Sequence, residues 1–65
     1  MKQYDTFILK QDINPTIKAG MVGAILEIWS ETDIEVEFVD DDGFNYGYND
    51  QFTFTIKKDI IEIRR

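Results

Sequence analysis

The chain contains no cysteine and no histidine, and Ser30 is its only serine. Without cysteine neither a disulfide framework nor a thiolate metal site can form, and small secreted domains usually need disulfides. We therefore expect a reducing, cytoplasmic setting. The side chains that most often serve as nucleophile or general base are also missing, and a carboxylate pair needs a shielded cleft to become a catalyst. A chain of 65 residues offers little shielding, so we expect no enzyme.

Long apolar runs are also absent. A membrane-spanning helix needs ~20 mostly apolar residues, and a signal peptide needs an apolar core after its charged start. Met1 and Lys2 instead lead into a charged stretch, so neither a membrane segment nor an export signal is expected. The length predicts a single domain over 1–65, which buries only ~60% of its unfolded surface. Stability should be marginal unless a partner or a second copy in a homodimer adds burial.

Positive charge is missing from the middle of the chain. No Lys or Arg lies between Ala19 and Ile56, and all seven basic residues are outside this segment. The segment carries nine acidic residues: Glu27, Glu31, Asp33, Glu35, Glu37, Asp40, Asp41, Asp42 and Asp50. The formal net charge of −6 therefore understates a local field that repels nucleic acid and attracts a basic partner.

What the chain does have is a hydrophobic period of two, which is typical of β-strands. The pattern predicts strands over 4–10, 21–29, 33–38, 52–56 and 60–63. We expect a positive φ at Gly20, a close backbone approach or bulge at Gly23, and a hairpin turn over Asp40–Gly43. Five short strands without a convincing helix favour an all-β fold, a small closed or nearly closed barrel, because closure removes exposed sheet edges.

The order of these elements resembles the SH3-like barrels of small bacterial proteins in domain-of-unknown-function family 4926. The residues that carry the resemblance, over nearly the whole chain, are Asp5-Thr6, Lys18, Gly20, Gly23, Val36-Glu37-Phe38-Val39-Asp40, Gly43 and Asp59-Ile60. The resemblance implies a five-stranded SH3-like barrel and no catalytic residues. Some members of such families accompany toxin-like partners, which implies an immunity or antitoxin role. The segment Phe44–Gln51 departs from the family pattern, being longer and richer in Tyr and Asn.

Asp33, Glu35 and Glu37 alternate with apolar residues, so all three should project from one face of the third strand, ~6.6–6.8 Å apart. We call these three residues the acidic row. One interpretation is a docking surface for Lys and Arg, which could imitate a row of phosphates and occupy the groove of a nuclease. The other is an ordinary solvated face, which cross-strand Lys10, Lys57 or Lys58 would neutralise.

The consecutive aspartates at 40–42 resemble a cluster of calcium ligands, but the spacing of the acids does not fit a calcium-binding loop. With Gly43 at position 6 of a calcium loop, Phe38 would occupy position 1 and Asn49 position 12, and neither is an acid. We expect an acidic hairpin turn that also takes part in partner docking. No metal and no cofactor is predicted.

Phe44, Tyr46 and Tyr48 share sequence parity in a segment with Asn and Gly, a composition typical of binding loops. We expect Phe44 to be buried and at least one of the two tyrosines to be exposed. Trp29 shares parity with Glu27, which leaves two alternatives open. It is an exposed anchor beside the acidic row, or it covers the mouth of the barrel.

These observations favour a non-catalytic immunity protein or antitoxin that masks a basic, nuclease-like toxin. The predicted partner-binding residues are Trp29, Asp33, Glu35, Glu37, Asp40, Asp41, Asp42, Tyr46 and Tyr48. The alternative is a structural or regulatory SH3-like assembly module. A weaker third hypothesis is a peptide-binding groove formed jointly by Trp29, Tyr46 and Tyr48.

Overall fold

The computed structural model describes residues 1–64 and is all-β. Its strands are β1 (Thr6–Leu9), β2 (Val22–Ile28), β3 (Asp33–Phe38), β4 (Phe54–Lys57) and β5 (Ile61–Ile63). All pairings are antiparallel, and the strands form one sheet in the order β4-β3-β2-β1-β5. The predicted all-β fold of five short strands is confirmed. No helix in residues 1–64 has the length and apolar character needed to cross a membrane.

The sheet curls because its two end strands are joined by a very short connection. A single 3₁₀ turn, Lys58–Ile60, links β4 directly to β5. In a flat five-stranded sheet these strands would lie about 19 Å apart, at ~4.8 Å per strand, which three 3₁₀ residues rising ~2.0 Å each cannot span. The two ends of the sheet must therefore approach each other, which gives the fold its barrel-like shape.

The strand limits differ from the predicted ones by one or two residues at seven of the ten ends. Tyr4 takes a positive φ of 69°, so β1 begins only at Thr6. The fourth strand begins at Phe54 rather than Phe52, and Ile60 belongs to the 3₁₀ turn rather than to β5. These are end effects, and β3 keeps the predicted alternation along its whole length.

Alternation in β3 places Ile34, Val36 and Phe38 in the core, where all three are fully buried. The remaining core residues come from each of the other four strands and from one loop: Phe7, Leu9, Ile17, Ile25, Phe54, Ile56 and Ile61. The rings of Phe7 and Phe38 meet edge to face, with centroids 5.7 Å apart. One apolar layer inside the curled sheet thus supports the outward residues of β3.

The loop between β1 and β2 contributes Ile17, which the strand pattern did not single out as a core residue. Asn14 holds this loop, since its side-chain oxygen accepts hydrogen bonds from the backbone N–H groups of Thr16 and Ile17, at 2.9 and 2.8 Å. The Asp12 carboxylate likewise accepts the N–H of Ala19 at 2.8 Å. Local side-chain to backbone bonds therefore replace a sheet ladder here.

Gly23 and Gly20 both behave as predicted. Gly20 adopts a positive φ of 93° in the turn that leads into β2. At Gly23 a Cβ atom would lie 2.5 Å from the Phe7 ring and 2.6 Å from the Glu37 carbonyl oxygen. The missing side chain lets the two phenyl rings pack directly over β2.

We predict that Gly23→Ala lowers the free energy of unfolding by about 2–3 kcal/mol, because overpacked cores must shift ring or backbone atoms. Urea denaturation followed by circular dichroism measures the change. The control is Ala24→Gly, at the neighbouring residue of β2 that faces outward. It should lower the free energy of unfolding by only ~0.5–1 kcal/mol. If Gly23→Ala were as stable as the wild type, the close packing of the rings over β2 would be wrong.

Candidate protein-binding face

The acidic row lies on the outer face of β3, flanked by one strand on each side. Asp33 and Glu35 pair in register with Lys57 and Thr55 of β4. On the other side Glu35 pairs with Glu27 of β2, and Glu37 pairs with Ala24. All three carboxylates are half-buried rather than fully solvated. The strand therefore presents them at fixed spacing, as the alternation predicted.

One end of the acidic row is neutralised. Lys57 Nζ lies 2.6 Å from Asp33 Oδ1, in an ion pair that also satisfies hydrogen-bond geometry. At Asp33 the interpretation of an ordinary solvated face holds, because the register of β4 brings Lys57, one of the three lysines named above, directly opposite it. Since Lys57 is well exposed, the pair is worth only ~0–1 kcal/mol and a partner can displace it.

Glu35, at the centre of the row, is held by neutral donors instead of a cation. Its Oε1 accepts the indole N–H of Trp29 at 3.2 Å and the hydroxyl of Thr55. The hydrogen bond from Thr55 is the main cause that lowers the pKa of Glu35. Burial raises that pKa, weaker hydrogen bonds from Trp29 and Thr53 lower it, and the net direction is downward. The carboxylate therefore remains ionised and oriented at neutral pH.

Glu37, at the other end of the row, is also held by a neutral donor. Its Oε2 accepts the side-chain N–H of Asn45 at 2.9 Å. The two ion pairs found in residues 1–64 are Asp12 with Lys18 and Asp33 with Lys57. Neither Glu35 nor Glu37 therefore has a cationic partner within residues 1–64.

Sequence reasoning did not assign a role to Glu27, which lies opposite Glu35. The register of β2 shifts between Ile25 and Glu27, so Leu26 forms a β-bulge. The side chain of Gln3 donates to the Leu26 carbonyl at 3.0 Å, which satisfies an acceptor at this irregular point. The bulge sets Glu27 against Glu35 on the outer face, which strict alternation along β2 does not reveal.

Trp29 is exposed, with 61% of its surface accessible, and lies beside Glu35. Its backbone N–H bonds to the Asp33 carbonyl at 3.0 Å, where the hairpin between β2 and β3 turns. Of the two alternatives for Trp29, the structure shows an outward indole next to the acidic row.

The aspartates at 40–42 form the predicted turn, but they are not equivalent. Asp40 serves the turn itself, since its Oδ1 accepts the N–H groups of Asp42 and Phe44 at 2.9 and 3.0 Å. Asp41 and Asp42 are exposed. They line an open cleft of about 590 Å³ together with Tyr46 and Arg64. No group of three or more metal-binding side chains is arranged around an ion site in residues 1–64.

The prediction that Phe44 is buried is wrong, because 71% of its surface is exposed. The chain after Gly43 folds back along β3, with the N–H of Tyr46 bonded to the Phe38 carbonyl at 2.8 Å, and this places Phe44 outside the barrel. Tyr46 is exposed, as predicted for at least one tyrosine, whereas Tyr48 is half-buried against the core.

The segment after Tyr48 makes a second tight turn that the sequence pattern did not predict. Asn49 and Asp50 both have positive φ, 51° and 63°. Tyr48 and Gln51 exchange backbone hydrogen bonds of 2.9 and 3.0 Å across this turn. Asn and Asp tolerate the left-handed conformation better than other side chains, and this adjacent pair was the available signal.

The candidate residues thus fall into two groups at opposite ends of β3. Trp29 adjoins Asp33, and Tyr46 adjoins Phe38, five residues along the strand and about 17 Å away at ~3.3 Å per residue. Tyr48 packs on the core. A single groove formed by these three aromatic residues, which the peptide-binding hypothesis requires, is not present.

Comparison with family models, with curated proteins and with solved structures finds no match to this chain. The resemblance to domain-of-unknown-function family 4926 stays a prediction.

We predict that Thr55→Val raises the pKa of Glu35 towards its ordinary value of 4.5, because it removes the main hydrogen bond to the ionised form. A titration of the side-chain carboxyl carbon by nuclear magnetic resonance measures this. Thr6→Val, on the outer face of β1, should leave Glu35 unchanged.

The same shift has a consequence for stability. The folded-state pKa of Glu35 lies below its unfolded value, so its contribution is present above pH ~4.5 and is lost as the pH falls through the folded value. The fall in stability with acid should therefore be shallower in Thr55→Val. An unchanged Glu35 titration in this variant would contradict the assignment.

Proposed function

We propose that this chain is a non-catalytic, acidic protein-binding module that acts as an immunity protein or antitoxin. It docks the outer face of β3 onto a basic, nuclease-like toxin in the cytoplasm and blocks access of the substrate. The predicted contact residues are the acidic row, Trp29, the aspartates at 40–42 and Tyr46. Tyr48 supports the same loop from the core side.

The observation that carries the proposal is the set of carboxylates without cations at the centre of this face. Glu27, Glu35 and Glu37 lie on adjacent strands, and no ion pair in residues 1–64 involves any of them. Neutral donors orient Glu35 and Glu37. A negative surface that is oriented but not neutralised by its own chain is complementary to a positive partner.

The chemistry also favours a protein partner over a nucleic acid. Exposed aromatic residues can stack on bases, but single-strand binding also needs a basic groove that follows the phosphates. The charge beside Trp29 is acidic, and the cleft that Tyr46 lines carries three aspartates together with Arg64 rather than a basic groove. An enzyme that binds nucleic acid must present the opposite charge, so such an enzyme fits this face.

The test uses a pair of variants that change the net charge equally. Glu35→Lys with Glu37→Lys reverses the proposed face, whereas Glu62→Lys with Gln11→Lys and Thr16→Lys adds the same positive charge at exposed positions on β5 and in the loop between β1 and β2. Each protein is immobilised and used to capture partners from source lysate. The captured protein is then purified, and its association rate and nuclease activity are measured.

We expect the face variant to associate about tenfold or more slowly at low salt, because steering depends on the local field. The control variant should stay close to the wild type, and the wild-type chain should inhibit the nuclease. Equal slowing by both variants would show that net charge alone acts, and an unchanged rate in the face variant would refute this docking face.

A second candidate, a structural or regulatory assembly module, is favoured by the exposed Phe44 and Phe52. Hydrophobic assembly, including a homodimer, depends little on salt, whereas charge steering is screened beyond about 8–10 Å at ordinary ionic strength. Capture that persists in high salt and fails in Phe44→Ala would favour this function over the inhibitor.

Removing the positive charge of Lys57, which pairs with Asp33, should change the association rate in the opposite direction. Lys57→Gln frees Asp33 and should raise the association rate of the basic partner about twofold to threefold at low salt. Lys10→Gln, in the loop after β1, removes the same charge elsewhere and should have less effect. An identical gain in both variants would assign no special role to the Asp33 end of the row.

A further inference from the structure

We infer that Trp29, Glu27 and Glu35 form a receptor for one arginine side chain of the partner protein. The inference rests on the proposed function, because it names the chemical group that this face recognises. It concerns the end of β3 that adjoins the turn between β2 and β3, and it assigns a role to Glu27, which the sequence pattern did not.

The first observation is an unfavourable pair of charges. Glu27 and Glu35 are direct cross-strand neighbours, and like charges in that position are destabilising. The fold brings them together through the bulge at Leu26, and no lysine or arginine in residues 1–64 forms an ion pair with either. A cation placed between them from outside removes the repulsion.

The second observation is the orientation of the indole. Its N–H is committed to Glu35 Oε1, which restrains the ring while 61% of the residue remains exposed. With that much surface accessible, at least one face of the ring is open to solvent. Since the ring is already ordered, the Trp29 side chain loses less conformational entropy when a ligand stacks on it.

These features select arginine over lysine. A guanidinium group is planar, stacks on an aromatic face and donates hydrogen bonds to carboxylates through a rigid fork, and it is more weakly hydrated than an ammonium group. Trp is the best aromatic partner for such a cation. Lysine can satisfy the charges of Glu27 and Glu35, but its compact ammonium does not stack in the same way.

The matched control for Trp29 is Phe44, another exposed aromatic residue. It follows the turn at the opposite end of β3, beyond the Phe38 end of the strand. Any general effect of exposed aromatic surface on a basic peptide should appear at both positions. A receptor built at the Asp33 end should respond only at Trp29.

The experiment compares two blocked peptides, Gly-Arg-Gly-Arg-Gly and Gly-Lys-Gly-Lys-Gly, on the full chain. Trp29 is the only tryptophan, so intrinsic fluorescence reports on this position alone. Nuclear magnetic resonance follows the indole N–H and the backbone amides in the same titration. We expect the arginine peptide to bind about fivefold more tightly at equal salt and to shift the Trp29 signals.

Trp29→Leu should abolish the preference for arginine, as followed by the amide signals, while Phe44→Leu retains it. Glu27→Gln should weaken arginine binding with Trp29 intact, which keeps the test valid if Trp29→Leu fails to fold. Equal binding of both peptides, or shifts confined to the aspartates at 40–42, would overturn the receptor.

The two proposals fail in different ways. If the peptides show no arginine preference but Glu35→Lys with Glu37→Lys still loses the partner, the docking face stands without the arginine receptor. If arginine is preferred at Trp29 but charge reversal leaves the partner's association rate unchanged, the receptor stands and the proposed inhibitory function falls.

Discussion

The register of β3 is the constraint on which both the core and the candidate surface depend. Ile34, Val36 and Phe38 are fully buried, and this fixes Asp33, Glu35 and Glu37 on the opposite face. A slip of one residue would put three carboxylates into the core and three large apolar side chains into water. The burial that stabilises the barrel therefore also sets the spacing of the negative charges.

How much of this was visible in the sequence depends on the range of the interactions. Hydrophobic alternation is a local property and correctly predicted five strands and the outward acidic row, and the conformational freedom of glycine correctly predicted the roles of Gly20 and Gly23. The failure at Phe44 is non-local. This residue was predicted to be buried, but the chain after Gly43 pairs back on β3 and turns the side chain outward.

The electrostatics of the face show the same division. That Asp33 meets Lys57 follows from the pairing of β3 with β4, across 24 residues of sequence. Glu27 lies opposite Glu35 because of a β-bulge, which the alternation of β2 does not predict. Counting charges along the chain could identify the acidic segment. Only the register could show which carboxylate is neutralised by its own chain and which is not.

The asymmetry along β3 bears on how a partner would approach. The Asp33 carboxylate forms an ion pair with the exposed Lys57, and this pair contributes little stability and exchanges easily. From Glu35 onwards the carboxylates are held only by neutral donors, so their orientation is fixed while their charge remains. A cation from a partner that binds such a carboxylate does not have to order it first. It also does not have to displace a lysine or arginine of the same chain. In residues 1–64, Glu35 and Glu37 accept hydrogen bonds from neutral donors and form no ion pair. The ordered carboxylates of this surface are therefore also the ones that no cation of residues 1–64 neutralises. Cross-strand lysines would relieve the repulsion between Glu27 and Glu35, but in residues 1–64 neither forms an ion pair, which supports the proposal that a basic partner supplies the cation.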